Sequence, residues 1–141
     1  MLAFEAIKKA AHAIGVHRIT TRPCTRHVRV ERAGQVLAES DRAVELDETG
    51  LPTRYYLPRD DVRTDLLTAS GTTSHCPFKG DATYFSAPGV KDAFWVYEAP
   101  SEPDARPIAG LLAPRPRRVE VHVELSARPQ RSRPPAPRSG G

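Results

Sequence analysis

Short apolar segments separated by turn-forming residues constrain the fold of this chain more than any other feature. The clearest is Val119 to Leu125, in which apolar residues alternate with Glu120, His122 and Glu124. A period of two places alternate side chains on opposite faces, as in a half-buried β-strand. The chain also has 14 prolines, which interrupt its other apolar runs. The pattern predicts an all-β or β-dominated domain, and the absence of a β-α-β rhythm argues against a nucleotide-binding parallel sheet.

Other segments show the same extended character. Val28 and Val30 alternate with polar residues, and Ala33-Gly34 can turn the chain into a hairpin. Asp60 and Asp61 favour a helix N-terminus and predict a short helical turn over 60–67. The remaining extended segments are predicted at residues 43–46, 55–57, 72–76, 82–85 and 93–97.

The two ends differ from the body. Residues 1–22 are predicted to hold a short N-terminal helix and a linker, because Phe4, Ile7, Ala11 and Ile14 recur at helical spacing. Residues 23–125 form the predicted domain. Residues 126–141 are rich in Pro and Arg and contain no large apolar side chain, so a disordered tail is expected.

Charge and cysteine content exclude several functions. The net charge is +4, but four of the 21 basic residues lie in the tail, which leaves 17 in the body against 17 acids. We therefore expect no nucleic-acid binding through the folded body, although the tail could contact a partner. Cys24 and Cys76 lack the spacing of a disulfide framework or a four-thiolate zinc site, and two reduced thiols fit a cytoplasmic protein. No apolar run is long enough to span a membrane.

Three blocks carry a family resemblance: Thr49–Val62, Thr73–Phe85 and Ala93–Tyr97. Their order and spacing resemble the family catalogued as domain of unknown function 427, which often bears a nucleotidyltransferase-like label. The resemblance covers Arg26 to Leu125 and implies a β-tent-like pair of small antiparallel sheets. One departure stands out. Pro114 to Arg118 occupies a place where the family often has an aromatic pair and an acid, which puts in doubt the pocket wall that such rings would supply.

The nucleotidyltransferase label is not supported by motifs. Such an enzyme needs carboxylates that hold magnesium and a loop that cradles phosphates. The nearest acids are Glu45 and Asp47, which share one strand face and are typical of a solvated strand edge. Glu120, His122 and Glu124 could in principle bind a metal, but a solvent face is expected. No metal or cofactor is predicted.

The second block supplies the first candidate site. Lys79 precedes Gly80 in a turn, where it could bind a phosphate or carboxylate, and His75 is expected on the same side of the extended chain. The alternative is that His75 bonds nearby backbone and Lys79 points to water. Cys76 is a possible nucleophile only if Pro77 breaks the strand, because neighbouring strand residues face opposite ways. Otherwise Cys76 is a packing residue.

The first and third blocks supply a second candidate cluster. Tyrosines offer an apolar face with a polar end, and arginine can bind an anion with two hydrogen bonds. The alternatives are that the tyrosines pack in the core, that Arg59 pairs with a nearby Asp, and that Trp95 is a core residue rather than a pocket wall. The candidate ligand-binding residues of this cluster are Arg54, Tyr55, Tyr56, Asp61 and Trp95.

The functional prediction is a pocket between sheets that binds a small anionic ligand through His75, Lys79 and the Arg54 to Asp61 cluster. Two alternatives stay open. One is a non-catalytic interaction module. The other is an enzyme, with thiol chemistry at Cys76 or nucleotidyl transfer. The sequence leaves the oligomeric state undetermined.

Overall fold

A computed structural model describes residues 17–125 of the chain. The predicted N-terminal helix and the predicted disordered tail at 126–141 lie outside the described residues. Within the described range, no helix is long and apolar enough to cross a membrane.

The described residues are predominantly β-strand, which confirms the predicted fold class. The region predicted as a helical turn holds two short 3-10 helices, Arg59–Asp61 and Thr64–Leu66, and a third spans Pro103–Ile108. The strands are β1 (Ile19–Pro23), β2 (His27–Arg32), β3 (Gln35–Ser40), β4 (Val44–Glu48), β5 (Arg54–Tyr56), β6 (Thr68–Cys76), β7 (Gly80–Ala87), β8 (Val90–Tyr97), β9 (Leu112–Pro114) and β10 (Glu120–Glu124).

The strands form three small antiparallel sheets, where the sequence had predicted a pair. Their orders are β1-β4-β5, β10-β2-β3 and β6-β7-β8-β9. The additional sheet depends on β1, which lies mostly in the segment predicted as a linker. Only Ile19 of that strand is apolar and buried, so the sequence carries no alternating signal there. Pairing with β4 along its whole length forms the strand instead.

Strand β8 contributes to two separate apolar clusters. Phe94 and Val96 belong to a cluster that includes Val28 and Val30 of β2. Trp95 and Tyr97 take part in a second cluster with residues of β4 and β5. Alternate side chains of a strand point to opposite faces, so the four-stranded sheet is covered on both sides. The half-buried Val121 and Val123 of β10 pack on the first cluster, as the alternating pattern predicted.

The four-stranded sheet is joined to the β1-β4-β5 sheet just beyond β5. The Leu57 N–H donates to the Leu112 carbonyl at 2.8 Å, and the Leu112 N–H donates back to Leu57 at 2.9 Å. Both residues are fully buried. This junction holds the ends of β5 and β9 together and places one face of each sheet around a common cavity.

Candidate functional site

The cavity between these two sheets has a volume of about 220 Å³. It is formed by alternate side chains of β4, β5, β7 and β8, together with a turn after β4 and two basic residues from loops. The lining residues are Leu46, Glu48, Leu51, Pro52, Arg54, Tyr56, Lys79, Tyr84, Trp95, Tyr97 and Arg115.

A buried ion pair forms one wall of the cavity. The ammonium of Lys79 donates to Oε1 of Glu48, and each residue is only 7% exposed. Oε2 of Glu48 lies 2.9 Å from Nε2 of His17, so this carboxylate contacts two basic side chains. The Lys79 Nζ also lies 5.7 Å from the centre of the Tyr97 ring. A buried ammonium is tolerated because its charge is paired, and Glu48 therefore accounts for the position of Lys79.

A tight turn brings Lys79 into the cavity. Its N–H donates to the carbonyl of Cys76 at 3.2 Å, and Gly80 follows with φ +97°. A Cβ added to Gly80 would lie 3.2 Å from the carbonyl oxygen of Ala99. Both the backbone angle and the close approach favour glycine at this position.

Aromatic side chains line a second part of the cavity wall. The indole N–H of Trp95 donates to the Tyr56 hydroxyl at 3.1 Å, and the two rings meet edge to face with centres 6.0 Å apart. Burial raises the pKa of Tyr56 and of Tyr97, so both hydroxyls keep their protons at neutral pH. The Tyr56 hydroxyl accepts from Trp95 and donates to no atom of residues 17–125.

Two arginines lie over adjacent rings of this wall. The guanidinium carbon of Arg54 is 5.8 Å from the centre of Trp95, and that of Arg115 is 5.5 Å from the centre of Tyr84. Trp95 and Tyr84 are directly opposite each other on β8 and β7. Among the described residues, Arg54 forms no ion pair with a carboxylate, whereas Arg115 lies 4.0 Å from Asp92.

Four predicted site residues meet at the cavity: Arg54, Tyr56, Lys79 and Trp95. The predicted convergence of His75 with Lys79 is not found. His75 is exposed on β6 and its Nδ1 lies 2.7 Å from Asp81 on β7. The turn that begins after Cys76 ends the two-residue alternation, so counting along an extended chain fails between His75 and Lys79.

Cys76 is a half-buried free thiol that packs against the second apolar cluster. His75 and Cys76 therefore face different surroundings, as expected for neighbours on a strand. The arrangement provides no His-Cys dyad.

The first candidate block is divided between two faces. Tyr55 packs against the first apolar cluster, and its hydroxyl accepts from Arg26 at 3.3 Å. It points away from the cavity because Arg54 and Tyr56 take the other face of β5. Asp61 accepts from Ser40 at 2.6 Å and pairs with Arg42 at 3.0 Å. It borders a separate open groove rather than the cavity.

Sequence reasoning missed four polar or aromatic lining residues: Glu48, Tyr84, Tyr97 and Arg115. Tyr97 lies two residues after Trp95 on β8 and shares its face, so strand alternation could have found it. Tyr84 is connected to the site by its pairing with Trp95 across β7 and β8. Arg115 lies in the segment that departs from the family pattern. It shows that this departure supplies a cation to the cavity wall. No local signal links Glu48 to Lys79, which is 31 residues away.

Arginines contact acidic residues in both of the sets considered for metal binding. Arg22 contacts Glu45 at 2.8 Å and Asp47 at 2.7 Å. On the β10-β2-β3 sheet, Glu31, Glu120 and His122 bring possible ligand atoms within 4.8 Å of one another. Glu31 already accepts from Arg29 there, at 2.6 Å. Glu124 instead lies beside Arg29, at 3.4 Å.

No curated protein matches the chain. A family profile with a nucleotidyltransferase-like label matches residues 20–125, which is well over half of the sequence. The match begins within β1, so it includes a strand that precedes the region of resemblance identified from the sequence motifs. The chain belongs to the family described as domain of unknown function (DUF427).

Proposed function

We propose that this protein binds a small anionic ligand in the cavity between the β1-β4-β5 sheet and the four-stranded sheet. The observation that supports the proposal most strongly is the position of Arg54 and its lack of an acidic partner among the described residues. Its guanidinium lies over Trp95 at the cavity and forms no ion pair with a carboxylate of residues 17–125. An arginine held in place without an acid can form charge-assisted hydrogen bonds with a bound anion.

The charge of the cavity lining supports an anion over a cation. The ionisable side chains other than tyrosine are Glu48, Arg54, Lys79 and Arg115. Glu48 is engaged by Lys79, so the carboxylate is not available to attract a cation. The guanidiniums of Arg54 and Arg115 remain as hydrogen-bond donors.

The shape and composition of the site support a small ligand. Ligand pockets are mostly apolar and contain a few polar groups that fix orientation. Here Leu46, Trp95 and Tyr97 supply apolar surface beside the basic groups. The proposed setting is cytoplasmic, because Cys24 and Cys76 are both free thiols.

Trp95 provides a direct assay because it is the single tryptophan of the chain. We expect saturable changes in its fluorescence when benzoate, phenyl phosphate or inorganic phosphate is titrated into the full-length protein. Replacing Arg54 by Gln should weaken binding about tenfold or more, the value of a hydrogen bond between charged groups.

Arg63→Gln is the matched control. It removes the same charge from an exposed arginine that pairs with Asp65 outside the cavity, and it should leave affinity unchanged. The proposal fails if none of the three anions binds, or if Arg54→Gln and Arg63→Gln reduce affinity equally.

A further inference from the structure

We propose that the preferred ligand of this cavity is a phosphate monoester in its doubly charged form. This inference rests on the proposed function and names the chemical class of the anion. It is carried by the second arginine, Arg115, which lies over Tyr84 next to the ring that holds Arg54.

The charges of the side chains that line the cavity favour a doubly charged anion. Three basic residues line the cavity, Arg54, Lys79 and Arg115, against the single carboxylate of Glu48. Asp92 does not line the cavity and lies 4.0 Å from Arg115. The lining side chains alone have a surplus of two positive charges, which Asp92 reduces. Among residues 17–125 Arg115 forms no hydrogen bond with Asp92, so its N–H groups can still donate to an anion that carries a second negative charge.

The arrangement of the two arginines favours a ligand that carries both negative charges on one chemical group. Trp95 and Tyr84 are cross-strand partners, whose Cβ atoms lie about 5 Å apart, and the two arginines that lie over their rings both line the cavity. A carboxylate has two oxygens, and one arginine can engage both in a bidentate pair. A phosphate monoester has three terminal oxygens, which can accept from two guanidiniums at once.

An apolar rim supplies a place for the organic part of the ester. Leu51 and Pro52 border the cavity in the turn that follows β4. Leu51 is 52% exposed and is one of two large apolar side chains that are exposed among residues 17–125. Contact with the ester group would remove this surface from water, which inorganic phosphate cannot do.

Trp95 fluorescence titrations with four probes test the inference. Phenyl phosphate carries the proposed chemistry, benzenesulfonate has a similar shape with one charge, and phthalate has two charges on separate groups. Inorganic phosphate lacks the organic part. At pH 7.5 phenyl phosphate should bind about tenfold or more tightly than benzenesulfonate and phthalate, since an extra charge-assisted contact to one group is worth at least that factor. It should also bind more tightly than inorganic phosphate, because its organic part buries apolar surface at the rim.

Two further measurements assign the preference to named residues. Arg115→Gln should remove the preference for phenyl phosphate over benzenesulfonate, and Arg115→Lys should restore it only in part because lysine lacks the bidentate fork. Leu51→Ser should weaken phenyl phosphate and leave inorganic phosphate unchanged. Circular dichroism melting of each variant confirms that it is folded.

The protonation of the ligand gives an independent readout. The second pKa of a phosphate monoester is about 6, so phenyl phosphate should bind more weakly at pH 5 than at pH 7.5. Glu48, Lys79 and the two arginines also face the ligand. Benzenesulfonate keeps its single charge between pH 5 and pH 7.5. Any change in its affinity over this range therefore measures the titration of the protein itself and can be subtracted from the change seen with phenyl phosphate.

The outcomes separate the two proposals. If phenyl phosphate and benzenesulfonate bind equally, or if phthalate or inorganic phosphate binds as well as phenyl phosphate, the inference is wrong and the proposed function stands. Retention of the preference in Arg115→Gln also overturns the inference. If no probe binds the wild-type protein, the proposed function fails as well.

Discussion

Replacing Glu48 by Gln tests how much the buried ion pair between Glu48 and Lys79 contributes to the free energy of unfolding. The change removes the carboxylate that contacts both Lys79 and His17, while the side chain keeps nearly the same volume. The ammonium of Lys79 then remains buried without a negative charge beside it. Breaking a buried pair by removing one partner costs about 3–5 kcal/mol. We expect the free energy of unfolding to fall by that amount.

Urea unfolding at 25 °C, followed by circular dichroism, measures this change. In a domain of this size about 1 kcal/mol corresponds to roughly 4–8 °C in Tm, so the melting temperature should also fall by more than about 10 °C. Glu98→Gln is the matched control. It breaks the exposed pair with Arg59, and an exposed pair contributes only about 0–1 kcal/mol.

Two companion variants refine the prediction. Lys79→Met should cost less than Glu48→Gln, because Glu48 would keep its contact with His17. Replacing Glu48 and Lys79 together by Leu and Met should recover much of the loss, since apolar residues of similar volume can substitute for a buried pair. The reasoning is refuted if Glu48→Gln costs no more than Glu98→Gln, or if the double variant is less stable than Glu48→Gln alone.

Two further predictions concern the backbone and the pH dependence of stability. Gly80→Ala should destabilise the fold by about 1–3 kcal/mol and more than Gly71→Ala, because both glycines have positive φ but only Gly80 has a backbone oxygen 3.2 Å from an added Cβ. Equal melting temperatures for the two variants would contradict this. The hydrogen bond to Asp41 raises the pKa of His27 above its usual 6.5. The resulting stability is therefore fully present below pH 6.5 and is lost as pH rises through the folded-state pKa. Urea midpoints measured from pH 5.5 to 8.5 should show this decline in the wild type and not in His27→Gln, and identical profiles would exclude the effect.

The alternation of apolar residues predicted much of the fold. Val121 and Val123 lie in a half-buried strand as expected, because a strand with one face in the core requires a period of two. The same rule fails for β1. That strand has little apolar pattern of its own and exists through its pairing with β4.

The candidate site was predicted in part. Arg54 and Tyr56 share a face of β5 and reach the cavity, and alternation alone could have excluded Tyr55 between them. The two-residue alternation failed to relate His75 to Lys79, because the chain reverses direction between β6 and β7. Within a strand, local geometry decides where a side chain points. Across a turn, it does not.

The sequence by itself determined the β-dominated class, the family motifs and several residues of the cavity wall, because these depend on patterns that repeat every two residues or on short motifs. Only the tertiary structure decided that Lys79 pairs with Glu48 and that Arg115 lines the same cavity as Arg54. These arrangements bring together segments that are 31 and more residues apart. Their geometry depends on how two sheets pack, and no local preference of either segment encodes it.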